Sequence, residues 1–307
     1  MSDLILHHYA GSPYSEKVRV AFGIKGIAWK SVQIPNIMPK PDLMPLTGGY
    51  RRTPVLQVGA DIFCDTQLIM LEVEKRAGKP PLLPVGQEGE ARALAMWIDR
   101  TIFWAAVGVV MGQIGDKLPE AFQKDRSDFS GRSFDPERLK MAAPAARDQV
   151  YGQLVIAEQM LRDGRPFLLG ATPSLADCAL YNPIWFLQGR MGLGDAPPPL
   201  NRLPKIVEWS GRMKAFGNGK PTEMTGAQAL DIAKAATPEA AKVDEKDPSG
   251  LKAGQPISIM PDDTGKVPVT GTLVGLSTDR ISIMRSEERV GDVVVHFPRA
   301  GFIVSAL

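Results

Sequence analysis

Ser12 is the residue whose type and setting most directly suggest chemistry. It stands in Tyr9-Ala10-Gly11-Ser12-Pro13-Tyr14-Ser15. Serine followed by proline is a strong helix start, an N-cap hydroxyl and then a residue whose missing N–H costs nothing in the first turn. Before it, Leu4-Ile5-Leu6 has the length of a strand. After it, Val18 and Phe22 recur at helical spacing, with Tyr14 a candidate for the same face. The local reading is strand, tight glycine-containing turn and helix. The amide-rich helix end then faces whatever lies over Ser12, and such an end favours an anion, a thiolate included. The simpler reading makes Ser12 an N-cap and nothing more.

A second stretch, Tyr50 to Thr66, reads as two short strands joined at Gly59-Ala60-Asp61, the first opened by Thr53-Pro54. A helix then starts at Asp65-Thr66 and runs through Leu68, Ile69, Leu71, Glu72, Val73 and Arg76 to Gly78. A proline opening a strand is tolerated where its missing N–H meets a turn or a ligand. The order strand, helix, strand, Thr-Pro-strand, strand, helix resembles the thioredoxin-like N-terminal domain of glutathione S-transferases. Pro173 to Leu180 (PSLADCAL) looks like the Ser/Thr-x-x-Asp capping motif of that superfamily's all-helical second domain. The resemblance covers residues 4 to 220. It implies an atypical member carrying an additional C-terminal β region.

In such a protein glutathione is the co-substrate and the partner is an apolar, electrophilic small molecule. Ser12 takes the place of the serine whose hydroxyl donates to the glutathione sulfur, and Tyr9 is its rival, at the place of the activating phenol of tyrosine-type classes. The Pro54 position carries a cis peptide in the family, which leaves the Thr53 backbone to pair with the cysteinyl part of the ligand. Asp65-Thr66 stands where the family has Glu-Ser or Gln-Ser and grips the γ-glutamyl end; an ordinary helix cap is the competing use of Asp65. Arg52 is preferred over Arg51 and Lys40 as the cation for the glycyl carboxylate. Trp104, Val107 and Met111 are candidates for the substrate pocket. Ser174 and Asp177 are read as structural, a serine cap with an acid three residues on that satisfies helix-start amides. The family also implies a homodimer.

The elements that must position these residues fall in a simple order. Residues 1–80 read as the thioredoxin-like unit, with a strand over Trp29–Ile34 and a Pro-rich loop from Pro35 to Gly48-Gly49. Residues 86–236 read as all-helical, with Asp116–Pro136 a polar, mobile insertion. Residues 237–250 (TPEAAKVDEKDPSG) are charged and nearly free of large apolar side chains, as in a linker. Five short alternating runs in 251–307 predict a small β-barrel or sandwich. The fold class expected is therefore α/β, then all-α, then small all-β.

Composition narrows the functional classes. An apolar share of 44%, a charged share of 23% and a formal charge of +2 are those of an ordinary soluble protein, with no footprint for nucleic acid or an acidic membrane surface. The longest apolar run, Ile102–Met111, is short for a bilayer span. Two cysteines, Cys64 and Cys178, give no disulfide framework and fit a reducing, cytoplasmic setting. His7, His8 and His296 make no metal set, since adjacent strand residues point to opposite faces and no cysteine or carboxylate spacing completes a site. The β tail offers no catalytic residue; the alternative to a transferase is a non-catalytic binding or scaffold protein that keeps the fold and uses the tail for a protein partner.

Overall fold

The computed structural model describes residues 3–190 and 194–307. The chain begins with β1 (Ile5–His8), α1 (Pro13–Ile24), β2 (Ala28–Gln33), a short α2 (Met44–Thr47), β3 (Val55–Val58), β4 (Asp61–Cys64) and α3 (Thr66–Ala77). β1 pairs parallel with β2 and antiparallel with β3, which pairs antiparallel with β4. This is the thioredoxin-like arrangement that the sequence implied, and the Thr53–Pro54 bond is cis. Both site helices start as expected. Ser12 Oγ accepts from the Ser15 amide at 3.2 Å, and Asp65 accepts from the Gln67 amide at 2.9 Å.

The helical part comprises α4 (Glu88–Trp97), a π-turn over Ile98–Ile102, α5 (Phe103–Ile114), α6 (Glu120–Ser130), α7 (Pro136–Met160), α8 (Leu175–Arg190) and α9 (Pro204–Ala215). By length and composition, Glu88–Lys117 would suffice to cross a membrane. Here its Ile98, Ile102, Ala106, Val109 and Val110 are spent on the bundle core. Asp177, at the start of α8, is fully buried and saturated with donors. It accepts from the Ser174 amide and hydroxyl (2.8 and 2.7 Å) and from the Leu168 amide and Trp209 Nε1 (both 2.9 Å).

Three expectations need correction. The segment 116–136 is not a loose insertion: it contains α6, tied by Arg126 to the Asn36 carbonyl at 2.5 Å and by Asp125 to the Met38 amide at 3.0 Å. Its polar sequence reflects a helix laid over a cleft, where one face stays wet. A strand was missed, β5 (Lys220–Glu223), which pairs parallel with β2. All four of its residues are exposed, so no alternation marks it. Finally, after α10 (Gly226–Ala235), the tail strands β6 (Pro256–Pro261), β7 (Val269–Leu276), β8 (Arg280–Glu287), β9 (Gly291–Pro298) and β10 (Phe302–Ala306) do not close on themselves as a barrel. They continue the first sheet in the order β10-β6-β7-β8-β9-β4-β3-β1-β2-β5.

That continuity rests on a parallel pairing of β4 with β9, Ile62 opposite Val295 and Phe63 opposite His296. Alternation then builds two cores. Leu6, Leu56 and Phe63 face α1, α3 and the bundle, whereas Ile5, Val55 and Ile62 join Leu230 of α10 and Ile283, Val293 and Phe297 of the tail. At the junction His296 Nε2 meets Asp61 Oδ1 and His296 Nδ1 meets Ser282 Oγ, both at 2.8 Å. The order Ser–His–Asp is that of a hydrolase triad, but the three are only 1–3% exposed. Burial lowers the His296 pKa, so the imidazole is a neutral bridge. Asp61 also accepts from the Glu239 amide at 2.8 Å, which pins the segment 237–250 to the sheet.

One buried cation joins the first unit to the bundle. Lys17 of α1 is fully buried, with Nζ 2.6 Å from Asp99 Oδ2 and 3.2 Å from Thr66 Oγ1. Removing Asp99 alone leaves an uncompensated ammonium in a dry site. Asp99→Ala is therefore expected to cost about 3–5 kcal/mol, and adding Lys17→Met should recover most of it. Denaturant midpoints of the two variants check this; additive losses would contradict it.

Candidate active site

One cleft of about 810 Å³ opens between the two units. Every residue singled out above for catalysis, glutathione binding or the substrate pocket lines it: Tyr9, Ser12, Arg52, Thr53, Pro54, Asp65, Thr66, Trp104, Val107 and Met111. Ser174 and Asp177 do not. Ser12 is 2% exposed, and its oxygen already accepts one amide, which leaves the hydroxyl proton to donate. Tyr9 sits half-buried at the end of β1, and its carbonyl accepts from the Ser12 amide at 3.0 Å. Tyr14 is committed elsewhere. Its hydroxyl donates to the Asp99 carbonyl at 3.1 Å, and burial raises its pKa well above the ordinary phenol value.

The charges of the lining are the informative part. Residues 1–80 contribute four charged side chains to it: Lys40, Arg51, Arg52 and Asp65. Arg51 is paired with Asp125 of α6. Arg52 is paired with Asp263 and also donates to the Thr264 carbonyl, both in the β6–β7 loop. Arg52 is thus taken, and the preference for it as the carboxylate-binding cation is not supported by this geometry. Lys40 differs. Only 4% exposed, its Nζ donates to the Arg51 carbonyl at 2.9 Å and to Thr53 Oγ1 at 2.8 Å, and among the described residues it joins no ion pair. Burial, with Arg126 and Arg51 nearby, pulls its pKa down to about 7. A buried ammonium held this low lacks an anion.

Asp65 is the complementary case. It caps α3 and, among the described residues, has no cation at ion-pair distance. Its φ of +70° is rare for a residue with a side chain, and such backbone costs of order 1–3 kcal/mol. The first unit's share of the cleft lining therefore holds one unmatched positive and one unmatched negative group, together with a hydroxyl at a helix N-terminus. A zwitterionic peptide with a thiol meets all three. The π-turn, through Asp99 and Arg100, and the start of α5, through Phe103 and Trp104, line the same cleft.

Several lining residues escaped sequence reasoning. Asp263, Thr264, Gly301 and Phe302 of the tail form one wall. Asp263, Thr264 and Gly301 read only as turns and Phe302 as the start of a strand, and nothing local tells where either will sit. Lys17 did carry a signal, a cation three residues after Tyr14 and so on the same face of α1. Among the described residues, no group of three or more His, Cys, Asp or Glu side chains is placed to hold a metal ion. His7 and His8 are buried and neutral, with pKa values lowered by burial to about 4 and about 3.

Residues 6–81 match the family model of the glutathione S-transferase N-terminal domain, and residues 116–220 match a domain of unknown function. The crystal structure of a GST-like protein from Pseudomonas syringae is 37% identical, with a TM-score of 0.77 over 100% of both chains. Glutathione S-transferase U4 of Arabidopsis thaliana is 23% identical over 69% of this chain and 84% of its own. FtsZ-localized protein A of Caulobacter vibrioides is 28% identical over 57% of this chain and 72% of its own. The full-length match above 30% identity, joined to the family-model match, makes this chain a member of the glutathione S-transferase superfamily.

Proposed function

We propose that the protein is a glutathione-dependent transferase, and one observation carries the reading. Lys40 and Asp65, the two unmatched charges of the first unit's lining, share a cleft with Ser12. Lys40 takes the ligand's glycyl carboxylate, in place of Arg52. Asp65 takes the γ-glutamyl ammonium, while Thr66 and the amides that open α3 receive the adjacent carboxylate. Ser12 and the α1 N-terminus stabilise the thiolate. The thiolate sulfur then bonds to an electrophilic atom of the second substrate. In a substitution a leaving group departs with the bonding pair. In an addition the displaced pair is protonated by water. Trp104, Val107 and Met111 supply apolar wall.

The oligomer and the compartment belong to the same reading. Both cysteines are buried and unpaired, as suits a reducing, cytoplasmic setting. A homodimer would form away from the outer edge of β4, since β9 covers that edge within one chain. A second reading, a protein-binding relative without conjugating activity, is favoured by the similarity to FtsZ-localized protein A.

Ser12→Ala separates the readings. A hydrogen bond to a charged group contributes about 1.5–3 kcal/mol, so the bound thiol's pKa should rise by about one unit or more. Conjugation of a general electrophile near neutral pH should fall by about tenfold or more. Equal rates in wild type and variant, or none in either, would remove the catalytic role and favour the binding protein.

Lys40 gives a pH signature. Free, with a pKa of about 7, it is mostly neutral at pH 8; beside a ligand carboxylate it is charged. Binding of S-methylglutathione, which has no thiol proton, should therefore take up close to one proton at pH 8 and far less at pH 6. Affinity should fall as pH rises above 7. Calorimetry in buffers of different ionisation enthalpy reads the uptake. Lys40→Met should abolish it, and uptake unchanged in that variant would exclude Lys40.

A further inference from the structure

The other half of the cleft has its own charge imbalance. Phe103, Trp104 and Phe129 supply aromatic wall, and Trp104 is 44% exposed. Into the same space project Arg126 of α6, Arg132 of the α6–α7 turn and Arg138 of α7. Arg100, which also lines the cleft, is neutralised by Asp262 at 2.8 Å. The three bundle arginines are not so met. Among the described residues Arg132 and Arg138 enter no ion pair. Arg126 reaches only Asp125, at 3.8 Å, and that aspartate is already held by Arg51. The buried Arg126 Nε has no hydrogen-bond partner.

The acids nearby do not restore the balance. Asp135, the α7 cap, accepts the Glu137 and Arg138 amides at 3.1 and 3.2 Å and sets one carboxylate against three guanidiniums, while Asp128 pairs with Lys124 at 3.1 Å. The guanidinium of Arg126 lies 4.7 Å from the Phe122 ring centroid and 5.8 Å from that of Phe129, so ring stacking fixes the cation at the cleft wall. A lone exposed arginine is ordinarily just solvated. Three in one concavity walled by aromatic rings focus a positive potential where water is partly excluded.

We propose that the second substrate is an aromatic anion, an aryl body bearing one carboxylate or sulfonate. Its ring packs on Trp104 and Phe103, and its charge is met by Arg132 and Arg138 with Arg126 behind them. The word substrate rests on the transferase reading; the binding site does not.

The test titrates the full chain with two fluorescent probes of nearly the same shape, 1-anilinonaphthalene-8-sulfonate and the uncharged N-phenyl-1-naphthylamine. Wild type should bind the sulfonate at least about tenfold more tightly, and added salt should narrow the gap. The double variant Arg132→Gln/Arg138→Gln, altered at two exposed positions, should erase the gap and leave the neutral probe's affinity unchanged. Trp104→Ala should weaken both probes. Equal affinities in wild type, a gap that survives the double substitution, or a sulfonate indifferent to Trp104→Ala would each overturn the proposal. Neither probe involves glutathione. A protein that never conjugates yet shows the charge-dependent gap would lose the transferase reading and keep the anion site.

Discussion

The ammonium of Lys17 sits where no water reaches it, and a charge in that position must be met by the protein itself. Asp99 comes from the π-turn of the bundle and Thr66 from the start of α3, so three separate elements converge on one nitrogen. That convergence lies beside the floor of the cleft, because Asp99 and Thr66 also line it. The cost of burying the charge is large unless every partner is in place. It therefore sets how the bundle meets the thioredoxin-like unit, and with it the spacing between Ser12 and the aromatic wall.

Around that fixed point the cleft is built by division of labour between two neighbouring arginines. Arg51 holds α6 through Asp125, and Arg52 holds the tail through Asp263. Both are thereby withdrawn from ligand binding, and among the described residues Lys40 is left as the unmatched cation of the first unit's cleft lining. The tail is integral to this arrangement. An exposed β4 edge would present unpaired backbone groups, and β9 covers it. The same strand carries His296 into a neutral, fully hydrogen-bonded bridge with Asp61 and Ser282. The loops that hang from these strands then reach the cleft.

Local chemistry made much of this readable in advance. Ser12-Pro13 and Asp65-Thr66 are helix caps whose residue types announce themselves, and both helices start where those residues stand. The capping acid Asp177 was equally plain. What could not be read depends on long-range placement. Arg52 looked free because Asp263 lies 211 positions away and nothing near Arg52 signals its arrival. The stretch 116–136 looked mobile because a helix lying across a cleft buries little and keeps its polar composition. β5 has no buried face, and so no alternation to detect. The tail strands alternate properly, but alternation does not say whether a sheet closes or joins another.

The most direct test of the central claim is calorimetric titration of the protein with reduced glutathione, repeated on Asp65→Ala. The account predicts binding in the micromolar to low-millimolar range. It also predicts at least about tenfold weakening in the variant, the loss of one charge-assisted contact. No heat and no thermal shift at millimolar glutathione, or equal affinity in both proteins, would contradict it.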